Sequence, residues 1–310
     1  MLGKQKDTFM SSTKVNVATR ASKLALAQTN LCLNKLSSDR DVKFEIFKQN
    51  TTGDIRSMEN KVQFDKANFV EDIEESLLTG KADIAIHSLK DMPAQQNIDL
   101  QIIALIKHQH TNDLLIFPKK ETKELKPDFL VGTSSLRRKY QCIHFLNHNN
   151  LANINGNIDT RLKKLEQKEF QAIILAQAGI DRLNLNVNSI ALDESTFLPP
   201  TGQGVIAVQC RREDKKIEDL CSKIANKSDI TALELERRII IGLEADCNSA
   251  IGIKYVQQPT EQRLKVQVLS KDHYIELDEV NDNDNAEKFI ELSLEKLLRM
   301  GAHKLLHEDH

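Results

Sequence analysis

Four short stretches put hydroxyl and cationic side chains where an extended apolar run gives way to a helical one. "ATRASKLAL" (18–26) carries Arg20 and Ser22, and "HSLKDMP" (87–93) carries His87, Ser88, Lys90 and Asp91. "GTSSLRRK" (132–139) carries Thr133, Ser134, Ser135, Arg137 and Arg138, and "NGNIDTRLKKL" (155–165) carries Gly156, Asn157 and Arg161. At a helix start the free backbone N–H groups and the helix dipole favour an anion. Guanidinium groups add forked donors that match carboxylates or phosphates. Any one of these stretches also reads as an ordinary capped helix with surface cations. Together, and with Arg182 after "AIILAQAGI", they point to a cleft for a ligand bearing several negative groups.

Two residues suggest chemistry of another kind. Asp91 follows the buried run "ADIAI", at the end of a strand where open α/β sheets bind ligands. There it can accept N–H groups or steady a developing cation, or simply cap the next turn. Cys247, in "LEADCNSAIG" (243–252), sits in a polar loop between Asp246 and Asn248, which suits a nucleophile or a point of covalent attachment. Cys32, Cys142, Cys210 and Cys221 read as small buried hydrophobes. The five cysteines are odd in number and never spaced as CxxC, so neither a disulfide framework nor a zinc site is expected.

The elements that must hold these residues alternate. Strand-like runs are "KVNVAT", "VKFEIF", "ADIAIHS", "LQIIAL", "DLLIF", "FLVG", "AIILA" and "GVIAVQC". Helical stripes begin at about Ser22 (Leu24, Ala27, Leu31), run through Phe69, Val70, Ile73 and Leu77, lie near Ala178 to Leu183, and carry Ile217, Leu220, Cys221 and Ile224. This is α/β grammar. In "LPPTGQGVIAVQCRRED" (198–214) two prolines and two glycines turn the chain straight into a buried strand. After about residue 227 the order becomes helix (Asp229 to Leu243), three strands ("AIGIKYV", "RLKVQVLS", "HYIELDEV") and a helix with Ile290, Leu294 and Leu297 on one face, a compact α+β unit. "DEVNDNDNAE" reads as a polar loop.

At 310 residues, 40% hydrophobic and 28% charged, the chain fits a soluble protein of two or three domains. A net charge of −2 argues against wholesale nucleic-acid binding. The longest apolar runs, such as Ile102 to Ile106, are too short to span a membrane. The opening "MLGKQKDTFMSSTK" has no apolar export core, so a cytoplasmic location is expected.

Over nearly its whole length the chain resembles the porphobilinogen deaminase (hydroxymethylbilane synthase) family. The resemblance rests on "ATRASKLALAQ", "ADIAIHSLKDMP", "VGTSSLRRK", "GNIDTRLKKL", "AIILAQAGIDRL", "LPPTGQGVIAVQCR" and "LEADC", in that order. It implies two α/β lobes like those of type II solute-binding proteins, residues 12–107 with 205–226 and residues 108–204. A C-terminal α+β domain, 227–310, follows. "PPTGQG" would be the second crossing between lobes, with Gln203 facing the cleft. The resemblance further implies a dipyrromethane cofactor on Cys247 through a thioether, held by Lys90, Thr133, Ser135, Arg137, Arg138, Gly156 and Asn157. Arg20, Ser22, Arg161, Arg182 and Gln203 would bind the substrate porphobilinogen, and Asp91 would be catalytic. Four substrate molecules would be joined head to tail with loss of ammonia, then released by water as hydroxymethylbilane, a transferase step of tetrapyrrole (haem) biosynthesis. No metal, nucleic acid or membrane partner is implied, and the enzyme would be a monomer.

The chain departs from the family pattern at several points. Thr52, Asn112 and Asn155 stand where the family commonly has arginine, "FDKAN" around Lys66 replaces a glycine-rich loop, and "EADC" with Ala245 and Asp246 replaces "EGGC". Each lost arginine implies carboxylate binding weaker by about 1–3 kcal/mol where it was hydrogen-bonded and partly buried. Competing readings are a non-catalytic two-lobe anion-binding protein, the sensor part of a transcription regulator, and a deaminase that has lost activity. The binding readings leave Cys247 and the third unit unexplained.

Overall fold

Residues 13–37, 42–49, 68–246, 248–282 and 285–307 are described by the computed structural model. The first sheet holds β1 (Thr13–Arg20), β2 (Val42–Gln49), β3 (Ile84–Ser88), β4 (Leu100–Lys107) and β10 (Val205–Arg211), in the order β2-β1-β3-β10-β4. The second holds β5 (Asp113–Phe117), β6 (Val131–Gly132), β7 (Leu151–Ala152), β8 (Ala172–Ala176) and β9 (Asn188–Ala191), in the order β7-β6-β8-β5-β9. The two orders correspond position by position. Three parallel strands are followed by one strand antiparallel to both of its neighbours. In each sheet that antiparallel strand is the one entered from the other sheet. β5 follows the crossing at 108–112, and β10 follows the crossing at 199–204. The crossings are joined where the His108 N–H donates to the Gly204 carbonyl at 3.0 Å.

Helices pack on these sheets: α1 (Lys23–Leu36), α2 (Asn68–Leu78), α3 (Leu136–Leu146), α4 (Ile158–Glu166), α5 (Gln177–Arg182) and α6 (Lys215–Cys221). Covering helices explain why the central strands are apolar throughout, as in the wholly buried β5. The first core joins Val15, Val17, Ile84, Ile206 and Val208 of the sheet to Cys32, Leu33 and Leu36 of α1. The hydroxyls of the junctions cap their helices: Ser22 Oγ accepts the Ala25 N–H at 3.2 Å, and Ser135 Oγ accepts the Arg138 N–H at 3.5 Å.

The third sheet is an antiparallel meander of β11 (Ile251–Gln257), β12 (Glu261–Leu269) and β13 (Tyr274–Asp282). It packs with α7 (Lys227–Gly242), α8 (Ala286–Arg299) and α9 (Ala302–His307) around its own core, where Leu235 and Ile239 meet Val266, Val268, Ile290 and Leu297. This unit is pinned to the second crossing. The Ile253 N–H donates to the Pro199 carbonyl at 2.9 Å, and Thr201 Oγ1 donates to Glu236 Oε2 of α7 at 2.5 Å.

The expected elements are present, with differences at the margins. α6 ends at Cys221, short of Ile224. "DEVNDNDNAE" is not all loop: β13 continues to Asp282, paired with Glu261. As an edge strand it exposes polar side chains that hide the alternation. β7, β9 and α9 are too short to leave a periodic signal. The Phe69 side chain lies outside the described residues, while Val70, Ile73 and Leu77 are buried as expected. Cys32, Cys142, Cys210 and Cys221 are also buried. Burial pushes the thiols of Cys32, Cys142 and Cys210 up to about 12, which disqualifies them as nucleophiles. Among the described residues no helix is long and apolar enough to cross a membrane.

The crossing itself depends on glycine. Gly202 has φ +70°, and a Cβ there would lie 2.6 Å from Leu89 Cγ. Gly202→Ala is expected to destabilise the fold by about 1–3 kcal/mol, read from the midpoint of chemical denaturation. An unchanged midpoint would show that this crossing yields without strain.

Candidate active site

A cavity of about 560 Å³ is lined by both five-stranded sheets and by the third unit. The volume is that of a small-ligand site. Every junction singled out in the sequence reaches it: Arg20, Ser22, Lys90, Asp91, Ser135, Arg137, Arg138, Gly156, Asn157, Arg161, Arg182 and Gln203 all line its wall. Thr133 does not. It is fully buried and its Oγ1 accepts the Ser135 N–H at 3.3 Å, so its hydroxyl shapes the junction and faces no ligand. Cys247, like Thr52 and Lys66, lies outside the described residues. Its neighbours Asp246, Asn248 and Ser249 line the cavity.

Below the wall is an ionic cluster that sequence reasoning did not find. Asp113, the fully buried first residue of β5, accepts from Arg137 Nη2 and Arg138 Nη2, each at 2.7 Å, and from Gln203 Nε2 at 2.9 Å. Arg137 also donates to Gln141 Oε1 at 2.6 Å and to the Leu198 carbonyl at 2.9 Å. Burial alone would raise the Asp113 carboxyl, but the two guanidinium groups outweigh it and hold the group well below the usual carboxylate range. Arg137 and Arg138, expected to hold the cofactor's acidic arms, thus share an acid of the protein itself while both line the cavity. One carboxylate already offsets half of their charge, and Arg137 is turned inward. A signal was available: an acid opening the apolar run "DLLIF" must find partners if that strand is buried.

The cations that remain are poised for an anion. Arg161 Nε donates to the Gly156 carbonyl and Arg182 Nη2 to the Gly204 carbonyl, both at 2.6 Å. Neither has a carboxylate within ion-pairing reach among the described residues. Burial draws both down to about 10, so both stay charged at neutral pH. Among the described residues Arg138 Nε, Arg182 Nε and His87 Nε2 are buried without hydrogen-bond partners, and all three side chains lie on the cavity wall. Buried cations and donors without partners are costly, and an anionic ligand relieves that cost. His87 adds no charge, because burial pushes its imidazole down to about 4.

Among the described residues three acids face the cavity: Asp91, Asp159 and Asp246. Asp159 pairs with Lys23 across the mouth at 3.1 Å, and Asp246 accepts the N–H groups of Asn248 and Ser249, each at 2.8 Å. Asp91 closes a single 3₁₀ turn, Leu89–Asp91, and among the described residues its carboxylate makes no hydrogen bond or ion pair. Gln203 lies between the halves, donating to the Thr111 carbonyl at 2.7 Å and accepting from Lys90 Nζ at 3.4 Å. Asn155 lines the cavity and accepts from Ser134 Oγ at 3.0 Å, leaving that position neutral. Asn112 donates to the Asp113 carbonyl at 3.4 Å.

The family model described as "Porphobilinogen deaminase, dipyromethane cofactor binding domain" matches residues 15–219. The chain belongs to the porphobilinogen deaminase family. Among curated members of that family, the porphobilinogen deaminase of a Nitratiruptor species is 37% identical over 248 residues, 78% of each chain. That of Clostridium novyi (strain NT) is 35% identical over 247 residues, 77% of this chain and 82% of the other. A probable porphobilinogen deaminase of Saccharolobus islandicus (strain Y.N.15.51 / Yellowstone #2) is 34% identical over 248 residues, 80% and 84% of the two chains. Solved structures are far more distant. The ligand binding component of an ABC-type import system from Staphylococcus aureus covers 75% of both chains at 12% identity and TM-score 0.39. The putative sulfonate-binding protein SsuA from Methylobacillus flagellatus covers 73% and 67% at 13% and 0.39. Likenesses that remote say nothing about the site. The deaminase family's cofactor is a dipyrromethane, and the wall described above suits its acidic arms: buried or half-buried cations, unpartnered donors and, among the described residues, no unpaired acid but Asp91.

Proposed function

We propose that the protein is a hydroxymethylbilane-forming transferase. It joins four porphobilinogen molecules head to tail on a dipyrromethane carried by Cys247, losing one ammonia per addition, and releases the product with water for tetrapyrrole (haem) synthesis. The observation that carries this reading is the meeting, in one cavity wall, of buried Arg138 and half-buried Arg161 and Arg182 with Asp91, whose carboxylate makes no hydrogen bond or ion pair among the described residues. When bound, the dipyrromethane supplies a tethered pyrrole to which the next ring is joined.

In this reading Lys90, Ser135, Arg138, Gly156 and Asn157 hold the acidic arms of the tethered rings, with Thr133 and Arg137 acting from behind as positioning residues. Arg20, Ser22, Arg161 and Arg182 take the acetate and propionate of the incoming substrate. Asp91 accepts pyrrole N–H groups, offsets the positive charge left on the substrate as ammonia departs, and takes up the proton lost when aromaticity returns. Residues 12–107 with 205–226, residues 108–204 and residues 227–310 act as three domains, and Gln203 at the crossing senses the first two together.

The test is the intact mass of the purified protein. It should exceed the polypeptide mass by two linked pyrrole units, and Cys247→Ser should return it to the bare value. Active wild-type protein at the bare mass would overturn the reading; inactive protein at the bare mass would overturn it in favour of an anion-binding protein.

A further inference from the structure

Away from the residues assigned to the cavity, three metal-ligating side chains converge on the surface of the third unit. Glu244 follows α7, and His303 and His307 lie on α9. Their ligand atoms all lie within 4.8 Å of one another. His303 Nε2 is 3.1 Å from Glu244 Oε2, and the two imidazoles have ring centroids 4.6 Å apart. Histidines at i and i+4 share one helix face, the spacing at which two rings reach a single ion.

The carboxylate is presented by the backbone. Glu244 has φ +53°, a left-handed conformation uncommon outside glycine and asparagine, and its N–H donates to the Ile241 carbonyl at 2.9 Å. All three side chains are exposed or half-buried, so an ion can reach them and keep water in its remaining positions.

We propose that Glu244, His303 and His307 form a binding site for a divalent transition metal, with zinc the best-suited ion. Two imidazoles and one carboxylate favour zinc over calcium or magnesium, which prefer all-oxygen shells. The cysteine arithmetic that argued against zinc does not bear on this donor set. Glu244 stands three positions before Cys247 in sequence, so the ion would fasten α9 to the root of the loop that bears that cysteine. The site is independent of the transferase reading.

The test uses the full-length protein as purified, treated with chelator, dialysed and titrated with zinc chloride in a calorimeter. Wild type should bind one equivalent at micromolar affinity and gain thermal stability with added zinc. His303→Ala and His307→Ala should each weaken binding by at least about tenfold, the scale on which even supporting groups act. Glu244→Gln keeps a hydrogen-bond partner for His303 but removes the anionic ligand, and should weaken binding in the same sense. His273→Ala, in the turn between β12 and β13, should bind like wild type. Absence of binding up to millimolar zinc, or equal binding in wild type and the three site variants, would overturn the site and leave only a hydrogen-bonded surface cluster.

Discussion

Asp91→Ala is expected to fold like the parent and to lose turnover by on the order of 10²–10³-fold, the usual result of deleting one preorganised charge from a reacting centre. The fold should survive because, among the described residues, no hydrogen bond or ion pair uses the carboxylate. The 3₁₀ turn is closed by the Met92 N–H on the Leu89 carbonyl at 3.1 Å and anchored by the buried side chains of Leu89 and Met92. The rate should fall because Asp91 is, among the described residues, the one cavity acid without a hydrogen bond or ion pair, in a wall otherwise rich in cations. In the proposed reaction, loss of ammonia creates positive charge on the substrate, which a carboxylate at this position would offset. In that proposed reaction the arginines, not Asp91, hold the substrate's carboxylates, so KM should move little while kcat falls. Asp91→Asn keeps an acceptor for N–H groups but not the charge, and should resemble alanine more than the parent. Near-parental turnover in either variant would remove Asp91 from the chemistry.

The local part of this site was legible because it is written in local grammar. Ser22 and Ser135 cap helices at strand ends, so hydroxyl, cation and helix start fall together within a few residues, and all four junctions do meet at one cavity. What was not legible is long-range. Arg137 and Arg138 look like surface cations by sequence, yet they are 3% and 7% exposed and bound to an acid more than twenty positions earlier. That contact exists because β5 inserts antiparallel beside β8, and an apolar run does not reveal the direction of its neighbour. Thr133 was not legible for a related reason: a hydroxyl at a junction points either to a ligand or, as here, to the backbone, and the residue pattern is the same. The metal-type cluster shows both cases at once. "HKLLH" gives two histidines one turn apart in plain sight, but Glu244 joins them only through the packing of α9 against the end of α7.

Asp113→Asn is expected to destabilise the protein by about 3–5 kcal/mol, because it leaves two buried guanidinium groups facing each other without their counter-charge. The neutral acceptors that remain, Gln141 Oε1, the Leu198 carbonyl and the Ile174 carbonyl, satisfy donors but not charge. The pH dependence follows from the depressed native carboxyl. Its contribution is fully present above the unfolded value of about 3.9 and is lost only as pH falls towards the much lower native value. The gap between parent and variant should therefore stay constant from neutral pH down to about 5 and narrow only below about 4, as followed by denaturant midpoints. Adding Arg137→Met to Asp113→Asn should recover part of the loss by removing one of the two opposed cations, a non-additivity that independent sites would not show. The same cluster ties Arg138 of the cavity wall, Gln203 of the crossing and β5 of the second lobe to one atom group, so loss of stability and loss of site geometry should appear together. A loss below about 1 kcal/mol, the scale of an exposed ion pair, would mean that water reaches these charges and that no buried ionic cluster holds the two halves in register.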